Sequence, residues 1–225
     1  MKYRKFLILG SILLLFLLSF PSWALDFDFS GTFDDDDDVV LLDFTVGSDS
    51  TITIFSSSWG NDVGPSGYIP GGGFDPILAI WDSAGAIENE QDDGGNVGST
   101  LSNSVLYTHG VWDSYFDVFL GAGDYTASIT QYDNFRAGNN LSDGFTHAGN
   151  PTFTQAFGSQ EYFNGVWSGG EDPRTGDWAF HILNVAEAGE RPPPGVPEPA
   201  TMLLLGSGLV GLAAAGRRKK FFKKA

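Results

Sequence analysis

The chain has 225 residues with 28 acidic and 12 basic side chains, a formal charge of −16 at neutral pH and no cysteine. Disulfide staples, thiol nucleophiles and thiolate ligands are thereby excluded, and so acidic a surface repels nucleic acid and anionic headgroups. Every acidic residue falls between Asp26 and Glu198, where only Arg136, Arg174 and Arg191 oppose them, yet 14% aromatic residues give this interior enough apolar mass to fold.

At the front, Lys2, Arg4 and Lys5 lead into an uncharged apolar run from Phe6 to Phe20, then Pro21-Ser22-Trp23-Ala24. A basic start, an apolar core and small residues after a helix breaker form a secretory signal peptide. Residues 1–24 are therefore expected as a signal helix that engages the Sec translocon and is cut by signal peptidase after Ala24.

Five consecutive aspartates, Asp34 to Asp38, follow. In extended chain alternate side chains share a face, so Asp34, Asp36 and Asp38 are the set that converges. Carboxylate oxygens suit calcium, which takes six to eight of them. Asp75, Asp82, Asp92 and Asp93 add further oxygens if their loops gather at the same end. The alternative is a solvated, solubilising loop. The spacing of an EF-hand is absent.

Beyond this run the dominant period is two. Val40, Leu42, Phe44 and Val46 alternate with Leu41, Asp43 and Thr45, and Ile52 and Ile54 alternate with Thr51 and Thr53. Ile77 to Trp81 is a compact apolar run that ends at the turn Asp82-Ser83-Ala84-Gly85. Tyr115–Leu120 and Tyr125–Tyr132 flank Gly121-Ala122-Gly123-Asp124 and are expected as a hairpin. Trp178–Val185 forms a last strand. Thirty glycines punctuate these segments, and none shows sustained helical spacing. The fold class is all-β, an antiparallel sandwich or jelly roll over residues 25–188. Residues 134–176 read either as a long insertion or as extra strands.

Catalytic signatures are missing from this region. His109, His147 and His181 have no second histidine at ligand spacing, and His181 reads as an ordinary strand residue. No Gly-x-Ser-x-Gly elbow occurs, and Gly71-Gly72-Gly73 lacks the Lys-Ser/Thr of a phosphate loop. The expectation is a domain that is not an enzyme, with an uncharacterised secreted enzyme as the outlying alternative. Trp59, Tyr68, Trp112, Trp167 and Trp178 stand near glycine-rich loops, where rings either stack on sugars or pack a core; exposure in one open row distinguishes the two.

Arg191-Pro192-Pro193-Pro194-Gly195 marks a linker, residues 189–196, before Pro197-Glu198-Pro199. The uncharged stretch 200–216 spans about 25 Å as a helix, short for a bilayer, and is weakened by Gly206, Gly208 and Gly211. Arg217-Arg218-Lys219-Lys220 follows and stays cytoplasmic by the positive-inside rule, leaving the β domain outside. A transmembrane helix at 200–216 is the expectation.

The order Pro197-Glu198-Pro199, short apolar helix, then Arg217 and Arg218, resembles the PEP-CTERM sorting signal, here residues 197–225. The resemblance implies a Gram-negative bacterium that makes extracellular polysaccharide. It also implies an exosortase partner that cuts near the motif after transient residence in the inner membrane. The strands around Phe74-Asp75-Pro76, with Asp92-Asp93-Gly94 and Leu120-Gly121-Ala122-Gly123-Asp124-Tyr125, resemble two groups. One is the bacterial pre-peptidase C-terminal sandwich, the other the PEP-CTERM proteins bearing Phe-Asp-Pro. The function expected is a non-enzymatic surface or matrix protein associated with exopolysaccharide or biofilm. A calcium-dependent or carbohydrate-binding module is the alternative.

Overall fold

The computed structural model describes residues 24–59, 72–93, 95, 97–165 and 173–191. The signal helix and the helix expected at 200–216 lie outside these residues; among those described, no helix is long and apolar enough to cross a membrane. The chain divides into two compact units, Met1–Glu190 and Arg191–Ala225.

The first unit is all-β. Its strands are β1 (Leu25–Thr32), β2 (Val40–Val46), β3 (Ser50–Ser56), β4 (Pro76–Asp82), β5 (Ile87–Asp92), β6 (Gly98–Ser102), β7 (Val105–His109), β8 (Tyr115–Leu120), β9 (Gly123–Gln131), β10 (Asp177–Val185) and β11 (Glu187–Glu190). A four-stranded sheet runs β1-β10-β3-β8 and a five-stranded sheet β11-β2-β9-β4-β5, while β6 and β7 form a separate hairpin. All pairings between these strands are antiparallel.

Period-two alternation builds the core. Leu42, Phe44 and Val46 point inward from β2 while Asp43 is exposed. They meet Ile52 and Ile54 of β3, Ile129 of β9, Leu78 and Ile80 of β4, and Phe180 and Ile182 of β10 between the two sheets. Burying one such side chain contributes about 1.5–3 kcal/mol, so this sandwich filling sustains the fold without disulfides. β4 is different: Ile77, Ala79 and Trp81 face the opposite side and are buried too. The segment after β9 meets the β4–β5 turn and β5, with Leu141 N–H donating to Gly85 O, Ile87 N–H to Asn139 O, and Arg136 paired with Glu90 at 3.1 Å. A strand covered on both faces reads as an unbroken apolar run, which is what Ile77–Trp81 is.

Two expectations change, and one open alternative is decided. Tyr115–Leu120 and Tyr125–Tyr132 are strands but not a hairpin: β8 belongs to the first sheet and β9 to the second, so the short glycine link crosses the sandwich. β11 pairs with β2 through Glu190↔Leu42 and carries the domain into the segment read as linker. Residues 133–165 contain no regular strand; they are an insertion with 3₁₀ turns at Leu141–Asp143 and Phe153–Phe157.

Candidate functional site

The aspartate run does not act as a unit. Asp38 Oδ2 accepts from the backbone N–H groups of Asp34 (2.8 Å) and Asp35 (3.0 Å), closing a tight local turn. Asp37 Oδ2 accepts from Gly149 N–H at 2.7 Å. Asp36 is fully buried. Its Oδ2 accepts from Thr154 N–H and Oγ1, at 2.8 and 2.7 Å, and its Oδ1 from Phe163 N–H at 2.6 Å. Burial pushes this carboxyl above the ordinary range, against the opposing pull of those bonds. Asp36 and Asp37 thus fasten the insertion to the sandwich, and the carboxylates of Asp36, Asp37 and Asp38 accept from N–H or O–H donors.

Three of the four remaining expected ligands, Asp75, Asp92 and Asp93, do come together. Asp75 immediately precedes β4, and Asp92 ends β5, whose hairpin with β4 turns on Asp82–Gly85. Asp82 Oδ1 shapes that turn by accepting from Ala84 N–H (2.9 Å) and Ala86 N–H (2.8 Å), and Gly85 sits at φ 83°, where a side chain would be strained. Because the strands are antiparallel, the chain entering β4 and the chain leaving β5 lie side by side. One carboxylate oxygen each from Asp75, Asp92 and Asp93 lies within 4.8 Å of the other two. Asp82, at the other end of the hairpin, does not join them.

Local chemistry holds Asp75 in place. Phe74 is buried and stacks on Phe33, with ring centroids 4.9 Å apart, and on Phe163 at 6.0 Å. Pro76 opens the strand, where its missing N–H costs no ladder bond, and it keeps Asp75 extended. A Cβ at Gly73 would fall on the backbone oxygens of Asp177 and Ser58, so only glycine lets the chain pass there. Ser114 Oγ ties β4 to β5 at this end, 2.7 Å from Pro76 O and 2.9 Å from Gln91 O.

Electrostatically the cluster is unbalanced. Asp75 is 6% exposed, and its Oδ1 is shut from solvent without a hydrogen-bond partner, as are Asp92 Oδ1, Asp93 Oδ1 and Gln131 Oε1. Burial, reinforced by the charges of Asp93, Asp92 and Asp113, pushes the Asp75 carboxyl up to about 9; Arg174 opposes this only in part. Burial and Asp93 push Asp92 up to about 6. Asp75 and Gln131 also border a small pocket, shared with Trp59, Phe74, Tyr132 and Arg174.

A second constellation was not legible in the sequence. Ser57 Oγ lies 3.0 Å from His181 Nε2, and His181 Nδ1 lies 2.7 Å from Asp28 Oδ1. The order hydroxyl, imidazole, carboxylate is that of a nucleophile, base and orienting acid. Here Ser57 and His181 are 2% and 1% exposed, and the imidazole lies 4.3 Å from the Phe55 ring and 4.1 Å from that of Tyr107, centroid to centroid. Asp28 also accepts from Ser102 Oγ (2.6 Å) and Asn103 Nδ2 (2.9 Å), so the chain of bonds joins the β6–β7 hairpin to β1 and β10. His147 packs on Phe153 and reaches Asp133, and His109 reaches Thr100.

The aromatics form no open row among the described residues. Trp178 is buried, and Trp59 has the Arg174 guanidinium 3.4 Å over its ring and Trp112 beside it. Tyr68 and Trp167 lie outside the described residues. Ala24, the expected cleavage point, is exposed directly before β1, so a cut after it leaves the strand whole.

Pro197, Glu198, Pro199, Arg217 and Arg218 also fall outside the described residues, and their assignment comes from comparison. The PEP-CTERM protein-sorting motif matches residues 195–219. No curated protein matches the chain. The motif suggests a secreted protein sorted by an exosortase to the cell envelope or surface.

Proposed function

We propose that this chain is a non-enzymatic surface or extracellular-matrix protein that an exosortase processes through its C-terminal signal and that then associates with exopolysaccharide or biofilm. The observation that carries this reading is the sorting motif at residues 195–219, placed after an acidic, disulfide-free β domain. In this account a Gram-negative cell exports the chain through the Sec translocon, and signal peptidase cuts after Ala24. A helix over 200–216 holds the chain briefly in the inner membrane, and cleavage near Pro197-Glu198-Pro199 releases the domain. The shortness of that helix and the cations Arg217 and Arg218 behind it suit a temporary anchor. The domain is a sandwich of the pre-peptidase C-terminal kind with a Phe-Asp-Pro strand entry.

The burial of Ser57 and His181 supports a structural use of the Ser57–His181–Asp28 bonds, since an acylating serine needs a substrate carbonyl beside it. The test replaces Pro197, Glu198 and Pro199 by alanine in the native host. Full-length protein is expected to accumulate in the membrane fraction while the shortened extracellular form disappears. Undiminished release of the shortened form would overturn the sorting account. Labelling of Ser57 by a fluorophosphonate probe would overturn the non-enzymatic part alone.

A further inference from the structure

We propose that Asp75, Asp92 and Asp93 bind a calcium ion at the open end of the β4–β5 hairpin, with the side-chain oxygen of Gln131 as the neutral ligand. Acidic clusters are common, and clustering alone says little. Two further facts separate this one from the surface carboxylates of the chain. Each of the three aspartates has an oxygen that is closed to solvent and takes no hydrogen bond, and Asp75 as a whole is more than nine-tenths buried. Gln131 is 2% exposed, pairs with Pro76 across β4 and β9, lines the same pocket as Asp75, and its Oε1 is likewise unpartnered. Buried polar groups are nearly always satisfied, and three unsatisfied carboxylate oxygens within 4.8 Å of one another, with a fourth unsatisfied oxygen on the Gln131 that borders the same pocket as Asp75, point to a shared ligand.

Protons do not meet this need as well as a cation does. A proton on Asp75 neutralises one carboxylate and supplies one O–H donor, which leaves at least two of the oxygens of Asp92, Asp93 and Gln131 without a partner. A divalent ion compensates two charges at once and gives every oxygen a partner. The aspartates elsewhere show the contrast: Asp36, Asp113 and Asp38 spend their oxygens on N–H and O–H donors.

The donor set selects the ion. It is all oxygen, which favours hard cations over zinc. Calcium takes oxygens at about 2.3–2.6 Å, so opposed ligands stand up to about 5.2 Å apart, and three oxygens within 4.8 Å of one another can share one such ion. Magnesium, at about 2.0–2.1 Å, meets the same limit but demands a strict octahedron and dehydrates reluctantly, so a set of protein carboxylates suits the more adaptable calcium better. Asp93 is the first residue after β5 and has φ 56°, so it turns its side chain back beside Asp92. The bound ion would clamp the chain entering β4 to the chain leaving β5. This inference does not rest on the sorting account, and either stands if the other fails.

The test uses the full chain, purified in mild detergent, stripped with chelator and melted with calcium chloride, magnesium chloride or neither. With calcium about 100-fold above its dissociation constant, the melting temperature is expected to rise by roughly 5–10 °C. Terbium should luminesce when the protein is excited, with Trp59 and Tyr132 bordering the Asp75 pocket as antennae, and calcium should quench it by competition. Asp92→Asn/Asp93→Asn should abolish both signals. If that variant does not fold, Asp75→Asn replaces it; lacking a buried charge, it should melt no lower than the wild type in chelator and fail to respond to calcium. Asp34→Asn/Asp35→Asn, at exposed and half-buried positions of the aspartate run outside the cluster, should retain the full response. No shift with calcium in the wild type, an equal shift with magnesium, or a full response in the variants at positions 75, 92 and 93 would overturn the assignment.

Discussion

Replacing Asp36 by alanine tests whether the aspartate run is structural. The substitution removes one acceptor from two backbone N–H groups, of Thr154 and Phe163, and from the Thr154 hydroxyl, all in residues that are themselves buried. Each buried donor left unsatisfied costs about 1–3 kcal/mol, so the two amides alone cost about 2–6 kcal/mol. Removing the carboxylate also relieves its own burial, which works against its ionised form and trims the loss to about 2–4 kcal/mol. For a domain of this size that lowers the melting temperature by roughly 5–15 °C. Urea unfolding at unchanged m-value measures the loss, and amide hydrogen exchange locates it. Exchange should quicken at Thr154 and Phe163 and along the insertion they anchor, and stay slow in β3 and β10. The calcium response should persist, because Asp36 lies outside the cluster. A loss below about 0.5 kcal/mol, the range of ordinary surface changes, would refute the reasoning and return the run to a solvated loop.

Two further outcomes follow from neighbouring features. Burial works against ionisation of Asp28, but hydrogen bonds from His181, Ser102 and Asn103 outweigh it and hold the carboxyl below its ordinary 3.8. A depressed folded value gives stability that is complete above the unfolded value and lost as pH falls through the folded one. The gap in urea midpoint between wild type and Asp28→Asn should therefore be full at neutral pH and close below about pH 4; a gap that holds or widens in acid would contradict this. Gly73→Ala should cost about 1–3 kcal/mol or more by forcing a methyl onto the backbone oxygens of Asp177 and Ser58, and a neutral effect on thermal unfolding would show that the strand entry gives way there.

The apolar strands were legible because alternation is a local property. Val40–Val46 matches β2 residue for residue, and Ile77–Trp81 lies within β4. β5 and β6 were not, since Glu88, Glu90, Gln91 and Ser99 carry turn-like or charged side chains whose strand character comes only from the partner strand. Sheet membership was also hidden: the glycine link between β8 and β9 suits a hairpin, and only the pairing of β8 with β3 and of β9 with β2 and β4 sends it across the sandwich. In the candidate site the meeting of Asp75 with Asp92 was implicit in the turn at Asp82–Gly85, because an antiparallel hairpin brings together residues equally far from its turn. The burial of Asp36 was not implicit in anything local. It depends on Thr154 and Phe163, more than a hundred residues away, and the Ser57–His181–Asp28 bonds depend likewise on three separate strands or their edges.

The central claim is that the tail is a sorting device discarded on the way to the surface. Intact-mass and peptide mass spectrometry of the chain recovered from outside the native cell tests it directly. The account predicts a C-terminus near Pro197-Glu198-Pro199, with no peptide from the stretch 200–225. Mature extracellular protein that still ends in Lys223-Lys224-Ala225 would contradict it.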